Sequence, residues 1–151
     1  MSLPTILSIP PLYINLEKMV TKLSVKYDGE GTYTAITPDG FTLTVDKRLN
    51  AGSTLLFALG RCCTSTLLYI VEKMRSDLKQ NITSIRAELI GETTPEPTDY
   101  YNKIHVKFFI EGKSIDRVKL EKAIKLVPEY CTISLTVDGK ANVDWSYEII
   151  E

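Results

Sequence analysis

The chain is poor in the residues from which most dedicated sites are built. Its 151 residues hold three cysteines, one histidine and one tryptophan. A single histidine and no C-x-x-C pair exclude the usual zinc ligand sets, so no metal is expected. No nucleotide or other cofactor motif is visible either, and no cofactor is expected. Three cysteines are too few, and odd in number, for a secreted disulfide scaffold. No run of like charge exists: 18 basic residues nearly balance 19 acidic ones, for a net charge of −1. That balance gives no electrostatic case for nucleic acid or for an anionic membrane. No basic segment followed by a long apolar run opens the sequence, so a secretory signal is not expected and a cytoplasmic location is. In a reducing compartment, cysteines are more often catalytic or metal-binding than structural staples.

What is present is enough to fold. An apolar fraction of 44% supports one domain with a real core. Residues 1–18 carry Pro4, Pro10 and Pro11 without a clean period and read as an N-terminal extension, leaving 19–151 as the domain. Leu23, Val25 and Tyr27 alternate with polar residues, and so do Phe41, Leu43 and Val45; with residues 32–36 between them and turns at Gly29 and Pro38-Asp39-Gly40, they predict an antiparallel meander. Ser53 is placed to cap a helix from about Thr54 to about Leu78. This helix is apolar nearly all round to Val71, interrupted by Arg61, and too short and too charged to read as a membrane span. A helix without a polar face needs cover on every side, and a second subunit is the natural source. Two long strands follow, around residues 85–89 and 104–110, with the Thr94-Pro95-Glu96-Pro97 loop between them. Gly112-Lys113-Ser114 then opens an amphipathic helix whose buried face is Leu120, Ala123, Ile124 and Val127. Pro128 suits the first turn of a new short helix carrying Cys131. Residues 132–137 have strand propensity in an ambiguous context, and residues 143–150 make a final strand.

Two cysteines, Cys62 and Cys63, are adjacent inside the apolar helix; the third, Cys131, is far along the chain. A thiol pair brought together from separate helices supports peroxidatic chemistry, one thiolate attacking an oxidant and the other resolving the product. The bland reading of Cys62 is a small buried hydrophobe. Cys63 lies about 100° round the helix from Cys62 and reads as core filler. Arg61 requires a paired acid or a path to water, and serves either as a structural ion pair or as a cation for a thiolate. The role of Cys131 depends on its distance from Cys62. His105 is out of phase with Ile104, Val106 and Phe108, which places it on the outer face of its strand; Trp145 and Tyr147 share a strand face and read as packing or pocket residues.

Several segments in order resemble the osmotically inducible protein C (OsmC) family, which includes the organic hydroperoxide resistance proteins. Ala58-Leu59-Gly60-Arg61-Cys62 is similar to its A-L-G-x-C segment, and Ile70-Val71-Glu72-Lys73-Met74-Arg75 to its I-L-x-K-M-R continuation. Glu129-Tyr130-Cys131-Thr132-Ile133-Ser134 resembles E-K-Y-C-x-V-S, and Ser146-Tyr147-Glu148-Ile149 the S-Y-E-I ending. The resemblance implies an α+β fold, with antiparallel sheets wrapped around long central helices in an intertwined homodimer. It also implies thiol-dependent reduction of organic hydroperoxides, with Cys62 peroxidatic, Cys131 resolving, and a small thiol or dithiol as reductant. The chain departs from the family where an early-strand arginine and a glutamate before the helix assist the thiol. Only Lys22 and Lys26 stand in the early strands, and Ser53 occupies the glutamate position. A non-enzymatic protein of the same fold, with structural thiols or a small apolar ligand, therefore stays open as the alternative.

Overall fold

The computed structural model describes residues 20–95 and 99–151. The proposed extension, residues 1–18, lies outside them, as does part of the loop at 94–97. The chain divides into two compact units, the first made of its described residues up to Leu55 and the second running from Leu56 to Glu151.

The first unit is the expected meander. Strands β1 (Ser24–Tyr27), β2 (Tyr33–Ile36) and β3 (Thr42–Val45) pair antiparallel in sequence order. Asp28 Oδ1 accepts from the N–H groups of Glu30 and Thr32, and Gly29 and Gly31 both adopt positive φ, which tightens the β1–β2 turn. The register puts Val25 beside Ala35 and Tyr27 beside Tyr33. It puts Leu43 beside Ala35 in turn, so one face of the sheet is apolar. That face is open: Val25 is 66% exposed and Leu43 47%.

Helix α1 (Ala51–Lys73) starts earlier and ends earlier than its sequence suggests. Ser53 is not the cap; its N–H donates to Asn50 Oδ1 at 2.9 Å, so Asn50 closes the N-terminus. At the far end Met74 N–H is shared between the carbonyls of Ile70 and Val71, and the chain leaves the helix there. A separate turn of helix, α2 (Leu78–Asn81), buries Leu78. Among the described residues, α1 is the one helix long and apolar enough to cross a membrane by length and composition. Leu59, Gly60, Cys63, Leu67, Ile70 and Val71 are buried, while Phe57 is half exposed.

The second unit is a three-stranded sheet, β4 (Ile82–Thr93), β5 (Tyr101–Gly112) and β6 (Asn142–Ile150), with helices α3 (Arg117–Tyr130) and α4 (Thr132–Val137) between the last two strands. The expectation of purely antiparallel sheets is corrected here. β4 and β5 are antiparallel, but β5 and β6 are parallel. The α3–α4 excursion carries the chain back to the end of the sheet where β5 began, and a strand entering there runs in the same direction. Ile104, Val106, Phe108 and Ile110 alternate onto the buried face, as their period demands, and Trp145 stacks on Phe108 with centroids 6.1 Å apart.

Between β5 and β6 two local expectations fail and one ambiguity is resolved. Pro128 does not begin a helix; it lies inside α3, close enough to the C-terminus that its missing N–H and its crowding of the preceding turn are tolerated. α3 itself starts at Arg117, where the Asp116 side chain accepts from Lys119 N–H, rather than at Gly112-Lys113-Ser114. Residues 132–137 are helical despite their strand propensity. Strand propensity is worth little outside a ladder, and among the described residues this segment has no strand beside it to pair with.

Gly112 closes β5 against the carbonyl of Asn81: a Cβ there would stand 2.0 Å from that backbone oxygen. Neither group can move without breaking the Lys113 N–H to Asn81 O hydrogen bond at 3.1 Å. Gly112→Ala is expected to destabilise the protein by about 2–3 kcal/mol through overpacking, read as a lowered urea midpoint at unchanged slope.

Candidate active site

The site grows from α1. Gly60, two residues before Cys62, has Leu89 of β4 against it; a Cβ would meet the Leu89 Cδ1 at 2.8 Å. This close approach seats the middle of α1 on the sheet. The next turn then delivers Cys63 into the core and leaves Cys62 partly buried at its margin. The opposing group comes from the α3–α4 junction. Cys131 is at once the C-cap of α3, its N–H bonded to Val127 O, and the N-cap residue of α4, in extended conformation. A helix that stops and restarts at one residue fixes that side chain tightly, and Cys131 is fully buried.

Cys62 is near enough to Cys131 to act on its thiol electrostatically. Burial is the main reason the Cys131 thiol is pushed up to about 11, and nearby Cys62 adds to the rise. The N–H groups of Ile133 and Ser134, in the first turn of α4, oppose it, although neither is close enough to make a cap hydrogen bond. Cys63 is pushed up to about 12, first by burial and then by the neighbouring Cys131 and Cys62 sulfurs. Its Sγ donates to Gly60 O at 3.3 Å within the helix. All three thiols are free. The two positions expected to converge therefore do, and the third sulfur is their neighbour.

Arg61 is exposed and makes no ion pair among the described residues. Ser53 serves only the start of α1, as the donor to Asn50. No group of three or more metal-ligating side chains exists among the described residues. Sequence reasoning missed the role of the α3–α4 break. Its signal was Pro128 three residues before Cys131, read as a start when it marks an approaching stop.

The raised thiols fix a pH dependence. A protonated buried thiol contributes stability that is intact below the ordinary thiol value of 9.0 and is lost as pH rises through the folded values, about 11 and about 12. The urea midpoint is expected to fall between pH 9 and pH 11 in the wild type, and to fall less in Cys63→Ala. In the same range Cys63 is expected to resist iodoacetamide while the protein stays folded, since only the thiolate alkylates.

The chain is similar to known proteins in sequence and in fold. A family model described as OsmC-like protein matches residues 44–146. Protein YhfA of Escherichia coli (strain K12) is 24% identical over 106 residues, 70% of this chain and 76% of its own. Among solved structures, a hypothetical protein from Aquifex aeolicus VF5 aligns with a TM-score of 0.75 at 26% identity, over 88% of this chain and 98% of that one. The organic hydroperoxide resistance protein OsmC of Legionella pneumophila, also described as a predicted redox protein, aligns with a TM-score of 0.60 at 17% identity, over 87% and 99%. At that identity the last likeness concerns the α+β fold.

Proposed function

The chain belongs to the OsmC-like protein family, and from that premise we propose that it reduces organic hydroperoxides with its own thiols. The observation that carries the proposal is the proximity of Cys62 to Cys131, a partly exposed sulfur near a buried one that holds its proton. The Cys62 thiolate attacks the O–O bond, the alkoxide leaves as the alcohol after taking a proton, and Cys62 becomes a sulfenic acid. Cys131 then attacks that sulfur and expels water, forming a disulfide. A small thiol or dithiol restores both cysteines by exchange, so each turnover converts one hydroperoxide and two thiols into an alcohol, water and a disulfide.

The working unit in this reading is a cytoplasmic homodimer, where reducing thiols are at hand. Its support is the open apolar surface of the single chain, with Phe57 53% exposed on α1 and Val25 66% exposed on the meander. An apolar pocket at the seam between subunits would favour alkyl hydroperoxides over hydrogen peroxide, with Arg61 from either chain as the available cation. A non-enzymatic role, with structural thiols or a bound apolar ligand, has its own observation: Ser53 stands at the family's glutamate position, and the early strands, where the family uses an arginine, offer only Lys22 and Lys26.

A dithiol-driven assay separates the two. The enzyme reading expects cumene hydroperoxide to be consumed faster than hydrogen peroxide, in proportion to protein concentration. Consumption no faster than in buffer with dithiol alone would leave the non-enzymatic role.

A further inference from the structure

The outer face of the second sheet carries an arrangement that the thiol chemistry does not use. His105 on β5 is in register with Asp144 on the parallel strand β6. Its Nδ1 lies 2.5 Å from Asp144 Oδ1, and its Nε2 lies 2.9 Å from Ser146 Oγ. Same-face side chains on a strand are about 7 Å apart, and an imidazole lying across β6 reaches one neighbour with each nitrogen. The carboxylate accepts Nδ1–H. That fixes the tautomer and leaves the Nε2 lone pair to accept the Ser146 hydroxyl proton. Nucleophile, base and orienting acid are thus in hydrogen-bonding order, the relation that defines an activated serine on any fold.

We propose that Ser146 is a second nucleophile of this chain, activated by His105 and Asp144, that accepts acyl groups from small activated esters and thioesters. The surroundings set that class. The His105 side chain is 33% exposed and Asp144 48%, so the face is open to a small molecule rather than enclosed around a large one. Ile90, in register with His105 on the other side, is 61% exposed and offers an apolar shelf for an acyl or aryl group. Lys107, in register with Ser146, is a cation for the developing oxyanion, though it is shared with Glu148 at 3.3 Å.

In the reaction Ser146 Oγ bonds to the carbonyl carbon as its proton passes to His105 Nε2, and Asp144 stays ionised against the imidazolium. The C–O or C–S bond to the leaving group then breaks and His105 protonates it. Water repeats the sequence on the acyl-serine, giving a carboxylic acid and the free hydroxyl. The general base contributes about 10²–10⁴-fold; with an activated ester, whose leaving group departs more readily than a serine alkoxide, acylation outruns hydrolysis and the acyl-serine is expected to accumulate.

The test is p-nitrophenyl acetate at neutral pH with the full chain, followed by peptide mapping. The expected result is a burst of nitrophenolate approaching one equivalent per chain, with the acetyl group on the peptide containing Ser146. Ser146→Ala removes that label; His105→Gln slows its formation at least tenfold; Asp144→Asn slows it and displaces its pH profile. Ser146→Ala leaves hydroperoxide consumption unchanged, which separates this site from the thiols. Acetyl groups confined to cysteine or lysine, or serine labelling at the same rate in His105→Gln with its wild-type melting temperature, would overturn the assignment.

Discussion

Cys62→Ser is expected to stop dithiol-driven consumption of an alkyl hydroperoxide, a loss on the order of 10³-fold or more. The substitution exchanges sulfur for oxygen with little change of shape, and Cys62 is at the margin of the core rather than within it. The fold should therefore survive, with a melting temperature close to wild type. What goes is the partly exposed sulfur proposed to attack the peroxide. Cys63 cannot replace it. It is fully buried, bonded to the helix carbonyl of Gly60, and held protonated by its surroundings up to about 12. Equal rates for wild type and Cys62→Ser would remove the peroxidatic assignment altogether, and with it the enzyme reading.

Cys131→Ser separates attack from resolution. Wild-type protein treated with one equivalent of hydroperoxide should lose two thiols and keep one. Mapping should place the new disulfide between Cys62 and Cys131, with Cys63 free to alkylate once the chain is unfolded. In Cys131→Ser the first step still occurs, so one thiol is lost as a sulfenic acid that dimedone captures at Cys62. Steady-state turnover should drop about 10²-fold, because an external thiol must now do what a nearby one did, and effective concentration is what that proximity supplies. A disulfide found between Cys63 and Cys131 would sink this assignment of roles. The cost in stability should be modest but real, since a serine at the α3–α4 junction buries a hydroxyl where the thiol now sits with Cys62.

The two predictions test a convergence that the sequence made plausible but could not measure. Cys62 and Cys131 belong to different helices, and their meeting depends on three separate events. Gly60 must let α1 settle onto Leu89. α3 must run through Pro128 and end at Tyr130. α4 must restart at Thr132 with Cys131 between them. Only the first has a plain local signal, a glycine in a helical run. The other two went against propensity: a proline expected to open a helix sits near the end of one, and a β-branched stretch folds as a helix.

The outer-face relay was hidden for a different reason. Period-2 alternation placed His105 outward correctly, but Asp144 and Ser146 are its neighbours only because β6 is parallel to β5 and in that register. An antiparallel β6 would reverse the order of residues along the strand and generally present a different pair to the same imidazole. The parallel pairing that makes the sheet mixed thus also creates the Asp144–His105–Ser146 contact.

The amino-acid order alone determined the meander, the long apolar helix, the alternation of β5, the burial of Cys63 and the family to which these segments point. Each of these follows from spacing of two or 3.6 residues, or from short ordered motifs, and survives wherever the element is placed. Tertiary structure decided the direction of β6, the break at Cys131, the cap at Asn50 and which sulfurs come near one another. Those depend on where elements separated by dozens of residues come to lie, and local periodicity carries no information about a distance across the core.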